Sequence, residues 1–119
     1  MDKCAHNIFM KESRLRQKLK EKLGIYGLIW FPAKIKYYEN DIFGCFDCIW
    51  YVDGRIILIQ VTTLTNLSHR RKKILNHFPR GTGGIPKDSY IYAWNDKLQY
   101  FKVVNVYEEQ QNKLPKASC

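Results

Sequence analysis

The stretch Cys45-Phe-Asp-Cys-Ile-Trp-Tyr-Val-Asp-Gly-Arg-Ile-Ile-Leu-Ile-Gln-Val-Thr62 decides the fold. Two apolar, β-prone runs flank Asp53-Gly54, a dipeptide suited to a two-residue hairpin turn. With that turn, Val52 faces Arg55, and counting back sets Asp47 opposite Gln60. Opposed residues share a face, with Cβ atoms roughly 5 Å apart. A carboxylate and an amide therefore meet on an otherwise apolar ribbon. Burying a carboxylate without partners is costly or changes its protonation, so the pair needs a reason.

Working outward, the hairpin strands are expected at about 44–52 and 55–63. Before them, Ile8, Leu15, Leu19 and Leu23 recur at helical spacing, and Gly24 follows as a stop, so residues 7–23 read as an amphipathic helix. Residues 27–38 read as a first strand, with Pro32 marking an edge or bulge. After the hairpin, Asn66 or Ser68 suits the cap of a second helix running to about His77. A glycine-rich loop spans 79–86. Two short strands follow, 89–94 and 99–104, joined by Asn95-Asp96. This order predicts an α/β fold, a mixed central sheet flanked by helices. Residues 1–107 form one domain, and 108–119 read as a polar, partly disordered tail.

The chain has 119 residues and a net charge of +9. Its cations cluster at 11–22 and 69–80, which points to a polyanion, most simply nucleic acid. The bland alternative is a solvated basic surface. No run is long and apolar enough to span a bilayer, and the N-terminus lacks the pattern of a secretory signal, so the expected location is cytoplasmic. Cys45 and Cys48 have CxxC spacing inside a predicted strand. Their odd offset puts them on opposite faces, poor geometry for a disulfide or a zinc site, so both read as small buried hydrophobes.

Each helix carries one charge on its apolar stripe. Glu12 lies four after Ile8 and three before Leu15; the alternative is a solvated helix start. Arg71 lies four after Leu67 and three before Ile74; the alternative is a snorkelling side chain whose stem covers apolar surface. If both helices cover the same face or rim, Glu12, Asp47, Gln60 and Arg71 converge, with Asp41 at the strand entrance. Oxygen ligands of this kind suit Mg²⁺ or Mn²⁺. A divalent ion beside phosphate-holding cations is equipment for phosphodiester hydrolysis.

These residues resemble the PD-(D/E)XK nuclease superfamily. Its core is a restriction-endonuclease-like αβββαβ arrangement, with an Asp on the second strand and (Asp/Glu)-x-Lys on the third. Asp47 matches the Asp, Gln60-Val61-Thr62 stands at (Asp/Glu)-x-Lys, and Glu12 matches an acid from the first helix. The spacing of 13 between Asp47 and Gln60 is similar to that of archaeal Holliday-junction resolvases. Asp41-Ile-Phe-Gly-Cys-Phe-Asp47, Ile59-Gln-Val-Thr-Thr63 and Asn66…Arg70-Arg-Lys-Lys-Ile74 resemble small nuclease-like proteins of phages and archaeal viruses. The resemblance implies a metal-dependent endonuclease acting on DNA, branched or junction DNA included. Glu12, Asp47, the Gln60 side chain and the Val61 carbonyl would hold Mg²⁺, while Thr62 and Arg71 orient water or phosphate. Arg70, Lys72, Lys73, Arg80 and Lys87 would hold flanking phosphates. The departures are Gln60 for an acid and Thr62 for the lysine. They leave a second reading, a nuclease fold that binds nucleic acid without cutting it. The resemblance also implies a homodimer, with Trp30-Phe31-Pro32 or the late strands as candidate interfaces.

Overall fold

The computed structural model describes residues 12–33, 41–78 and 84–113, with the backbone alone at 12 and 111–113. The hairpin forms as its turn chemistry dictates. Asp53 and Gly54 both take positive φ, 52° and 74°, as a type I′ turn requires. Strands β2 (Cys48–Val52) and β3 (Arg55–Thr63) pair antiparallel from Val52↔Arg55 to Cys48↔Ile59. The expected start at 44 is corrected. Residues 42–46 instead make a tight turn closed by an Ile42↔Phe46 bridge, with Phe43 and Gly44 at positive φ.

Helix α1 (Glu12–Leu23) precedes β1 (Leu28–Trp30). Residues 7–11 and 34–38 of the expected helix and strand lie outside the described residues. The strand stops at Trp30, two residues before Pro32, which has no N–H for a ladder. The Trp50 indole donates at 3.1 Å to the Leu23 carbonyl at the helix end, which also accepts the Tyr26 N–H at 3.0 Å. After β3 come a 3₁₀ turn (Leu64–Asn66) and α2 (Leu67–His77). Asn66 holds the N-cap position without a side-chain cap bond. β4 (Ser89–Asn95) and β5 (Tyr100–Asn105) complete a mixed sheet of order β1-β2-β3-β4-β5, parallel only between β3 and β4. Of the expected polar, partly disordered tail over 108–119, residues 108–113 belong instead to helix α3 (Val106–Lys113), and 114–119 lie outside the described residues.

The helices take opposite faces. Leu15, Leu19 and Leu23 of α1 pack on Cys48, Ile57, Ile59, Val61, Tyr92 and Trp94. Leu67 and Ile74 of α2 and Val106 of α3 pack on Leu58, Ile91, Ala93 and Val104. This overturns the expectation that both predicted helices share a face. The parallel β3–β4 connection has to cross over one face through α2, which leaves the other for α1. β3 is accordingly buried without alternation from Ile57 to Thr62.

Candidate functional site

β3 outruns β2, and the site lies where the ladder stops. Asp47 N–H donates to the Ile59 carbonyl at 2.8 Å. Its carboxylate then serves where strand backbone ends: Oδ2 accepts the Val61 N–H at 2.8 Å and the Gln60 Nε2 at 2.7 Å. Gln60 Nε2 also donates to the Val61 carbonyl at 3.1 Å. One amide nitrogen thus joins two oxygens, Asp47 Oδ2 and Val61 O. Both side chains are buried, Asp47 at 3% exposure and Gln60 at 4%. The expected Asp47–Gln60 meeting therefore forms.

The cation beside them comes from α1. Arg16 reaches Asp47 Oδ1 at 3.7 Å and lies over the Phe31 ring, 5.6 Å from its centroid. Its side chain is 17% exposed, so the pair is shielded from most solvent. The sequence reading missed Arg16, although the signal was there. It follows Leu15 directly and stands four after Glu12, on the flank of the same stripe.

The other expected members part company. Arg71 is turned away from Asp47 and pairs with Glu109 of α3 at 3.0 Å. Convergence of Arg71 on the Asp47 site is therefore corrected, because α3 supplies a carboxylate where a tail had been expected. Thr62 is buried on the face that α2 and α3 cover, two residues beyond Gln60. Glu12 opens α1 on the opposite face from Gln60, and its side chain lies outside the described residues. Arg80 also lies outside them. Lys72 and Lys87 are exposed, and Arg70 and Lys73 are half-buried. Among the described residues, no three His, Cys, Asp or Glu side chains gather into a metal-binding group. The oxygen donors here are one carboxylate, one amide and one backbone carbonyl.

Two further residues carry structure that the sequence did not announce. Gln110 of α3 accepts the Ile85 N–H at 2.8 Å and donates to the Phe78 carbonyl at 3.2 Å. One side chain thereby ties both ends of the 79–84 connection together. Cys45 and Cys48 fall in the two opposite cores as expected, although Cys45 lies in the 42–46 turn and not in a strand, and both are free thiols. Burial pushes both thiols above their ordinary 9.0; the Asp47 charge raises Cys48 further, and Arg16 opposes it.

Comparison with family models, with curated proteins and with solved structures gives no match. Among the described residues, no helix is long and apolar enough to cross a membrane.

Proposed function

We propose that the chain is a metal-dependent endonuclease of PD-(D/E)XK type acting on DNA inside the cell. The observation that carries this reading is the convergence of Asp47 Oδ2 and Val61 O on the Gln60 side-chain amide, at 2.7 and 3.1 Å. Turned to present Oε1, that amide would make a third oxygen beside them, a donor set that suits a hard divalent cation. The succession α1, β1, β2, β3, α2, β4 supports a restriction-endonuclease-like core.

Asp47, Gln60 and Val61 would hold Mg²⁺ or Mn²⁺. When bound, the ion supplies a Lewis acid for the phosphate and a water of lowered pKa. Asp47 is the one described carboxylate among these ligands, and the Val61 N–H fixes its orientation. Arg16 fills the place of the missing lysine as the cation beside Asp47, able to neutralise charge but not to carry a proton. Arg70, Lys72, Lys73, Arg80 and Lys87 hold the backbone through phosphates. Arg71 joins them only when released from Glu109. Thr62 supports the strand end that carries Val61.

The second reading is a nuclease-fold protein that binds DNA or RNA without cutting. One observation favours it: Arg16, Gln60 and the Val61 N–H already satisfy Asp47 without a cation. The test is cleavage of branched, single-stranded and duplex DNA with Mn²⁺ or Mg²⁺, comparing wild type with Asp47→Asn. Asn keeps the shape and most of the local bonds, so loss of activity is read on a folded protein, checked by its thermal transition. Metal-dependent cleavage that Asp47→Asn abolishes supports the enzyme. Binding that persists in both proteins without any cleavage establishes the second reading.

A further inference from the structure

The turn that carries the chain into Asp47 holds its least expected side chain. The Gly44 N–H donates to the Asp41 carbonyl at 3.1 Å, and the Ile42 N–H donates to the Phe46 carbonyl at 2.8 Å, which closes the turn on itself. Phe43 stands inside it at φ 55°, and Gly44 follows at 74°. Glycine takes that left-handed region freely, whereas a bulky side chain there is a strained outlier. Burial does not offset the strain. Phe43 is 61% exposed, while Phe31, Phe46, Phe78 and Phe101 are buried or half-buried. An exposed aromatic held in a costly backbone conformation points to a use outside the stability of the fold.

The surroundings of the ring say what that use is. Phe43 meets the half-buried Phe78 nearly perpendicular, with ring centroids 6.4 Å apart, and His77 meets Phe78 at 5.1 Å. A Cβ added at Gly44 would lie 3.4 Å from the His77 imidazole, so the turn abuts the C-terminal end of α2. His69, Lys73 and His77 recur every four residues on that helix and share one of its sides. The Lys73 charge is felt at the Cys45 thiol, two residues after Phe43. Asp41, the one acid of the turn, acts on the same thiol with the opposite sign, and α2 itself carries no acidic residue. Arg70 Nε, buried beside this row, has no hydrogen-bond partner among the described residues. A basic row thus runs along α2 and ends at an open aromatic ring.

Cations beside an exposed aromatic are the equipment of a single-strand binder, because every base offers a π-face once it leaves the duplex stack. In a duplex both faces of an interior base are already stacked, so an exposed ring gains nothing there unless the base is extruded. A protein partner fits less well, since charge is depleted at the core of protein interfaces and basic residues rim this ring. We infer that Phe43 is a stacking platform for one unpaired nucleobase of single-stranded DNA, whose flanking phosphates lie along Lys73 and Arg70 of α2. The inference rests on the nucleic-acid reading of α2, in its cutting or its binding form alike. The left-handed turn holds the ring out to solvent four residues before Asp47, which leaves the Asp47–Gln60 contact itself untouched.

The test is fluorescence anisotropy of the full chain at low salt with a labelled single strand of about 12 nucleotides and with the blunt duplex of the same length. The proteins compared are wild type, Phe43→Asn and Phe43→Trp. Asn accepts the left-handed conformation more readily than Phe, so Phe43→Asn should keep or raise the Tm while removing the ring. The expected result is about tenfold weaker binding of the single strand by Phe43→Asn, the loss of one stacked base. Duplex binding should stay unchanged, and Phe43→Trp should bind the strand at least as tightly as wild type. A lower Tm in Phe43→Asn marks the ring as a packing residue and overturns the inference. Single-strand binding that ignores both substitutions, or a loss shared equally by the duplex, also overturns it and leaves the nucleic-acid reading of α2 standing. Absence of binding to either polymer at low salt overturns that reading, and this inference with it.

Discussion

At the residue scale, the site rests on an amide doing a cation's task. Gln60 Nε2 stands between two oxygens that would otherwise face each other unbridged. Gln60→Glu replaces that donor with a second carboxylate beside Asp47. Without metal, one of the two must hold a proton, so the folded-state pKa of the pair rises above its unfolded value. Stability is then intact at low pH and is lost as pH rises through that raised value. The expected result is a lower Tm at pH 8 than at pH 5 for the variant, with Mn²⁺ restoring the loss by preferential binding to the folded state. A variant whose Tm ignores both pH and Mn²⁺ would refute this account of the site. The two hairpin cysteines give a second residue-scale outcome. Burial holds both thiols protonated, with folded values above the ordinary 9.0. Their contribution to stability is complete below about 9 and is lost as pH rises past it. At pH 8, Cys45 and Cys48 should resist iodoacetamide in the native protein and react on unfolding, as peptide mapping can read.

At the scale of elements, α3 is the unexpected one. It holds Arg71 through Glu109 and ties the ends of the 79–84 connection through Gln110. Val106 at its start is fully buried. Gln110→Ala strands a buried N–H at Ile85 and a carbonyl at Phe78, at a cost of about 3 kcal/mol. Urea unfolding should show that loss, and hydrogen exchange at the Ile85 amide should accelerate. A chain ending at Asn105 should lose cooperative unfolding altogether. The hydrophobic spacing of 106–113 is too weak to announce a helix, since one buried valine and one buried glutamine do not make a stripe. The hairpin lies at the other extreme, because Asp-Gly fixes both turn dihedrals and with them the pairing of every residue back to Cys48.

At the scale of the whole molecule, charge and topology set the remaining expectations. With three or four of the α2 and Lys87 cations on phosphates, binding to DNA should fall with a log–log salt slope of about −3 to −4. That is roughly 100-fold between 50 and 200 mM salt, measurable by fluorescence anisotropy, and a flat response would remove nucleic acid as the partner. The sequence by itself determined what short-range chemistry controls. The turn fixed the hairpin register, and helical spacing located α1 and α2. It even held an unread clue to the layering, since the unbroken apolar run Ile57-Leu-Ile59 signals a strand covered on both faces. Only the tertiary structure decided which side chains meet. The parallel β3–β4 crossover sent α1 and α2 to opposite faces, which carried Arg71 to Glu109 and brought Arg16 to Asp47. Periodicity tells which stripe of a helix turns inward, but not which face of the sheet receives it. That choice is made by chain connectivity and by the need to bury both sides of β3, neither of which is written in any local stretch of residues.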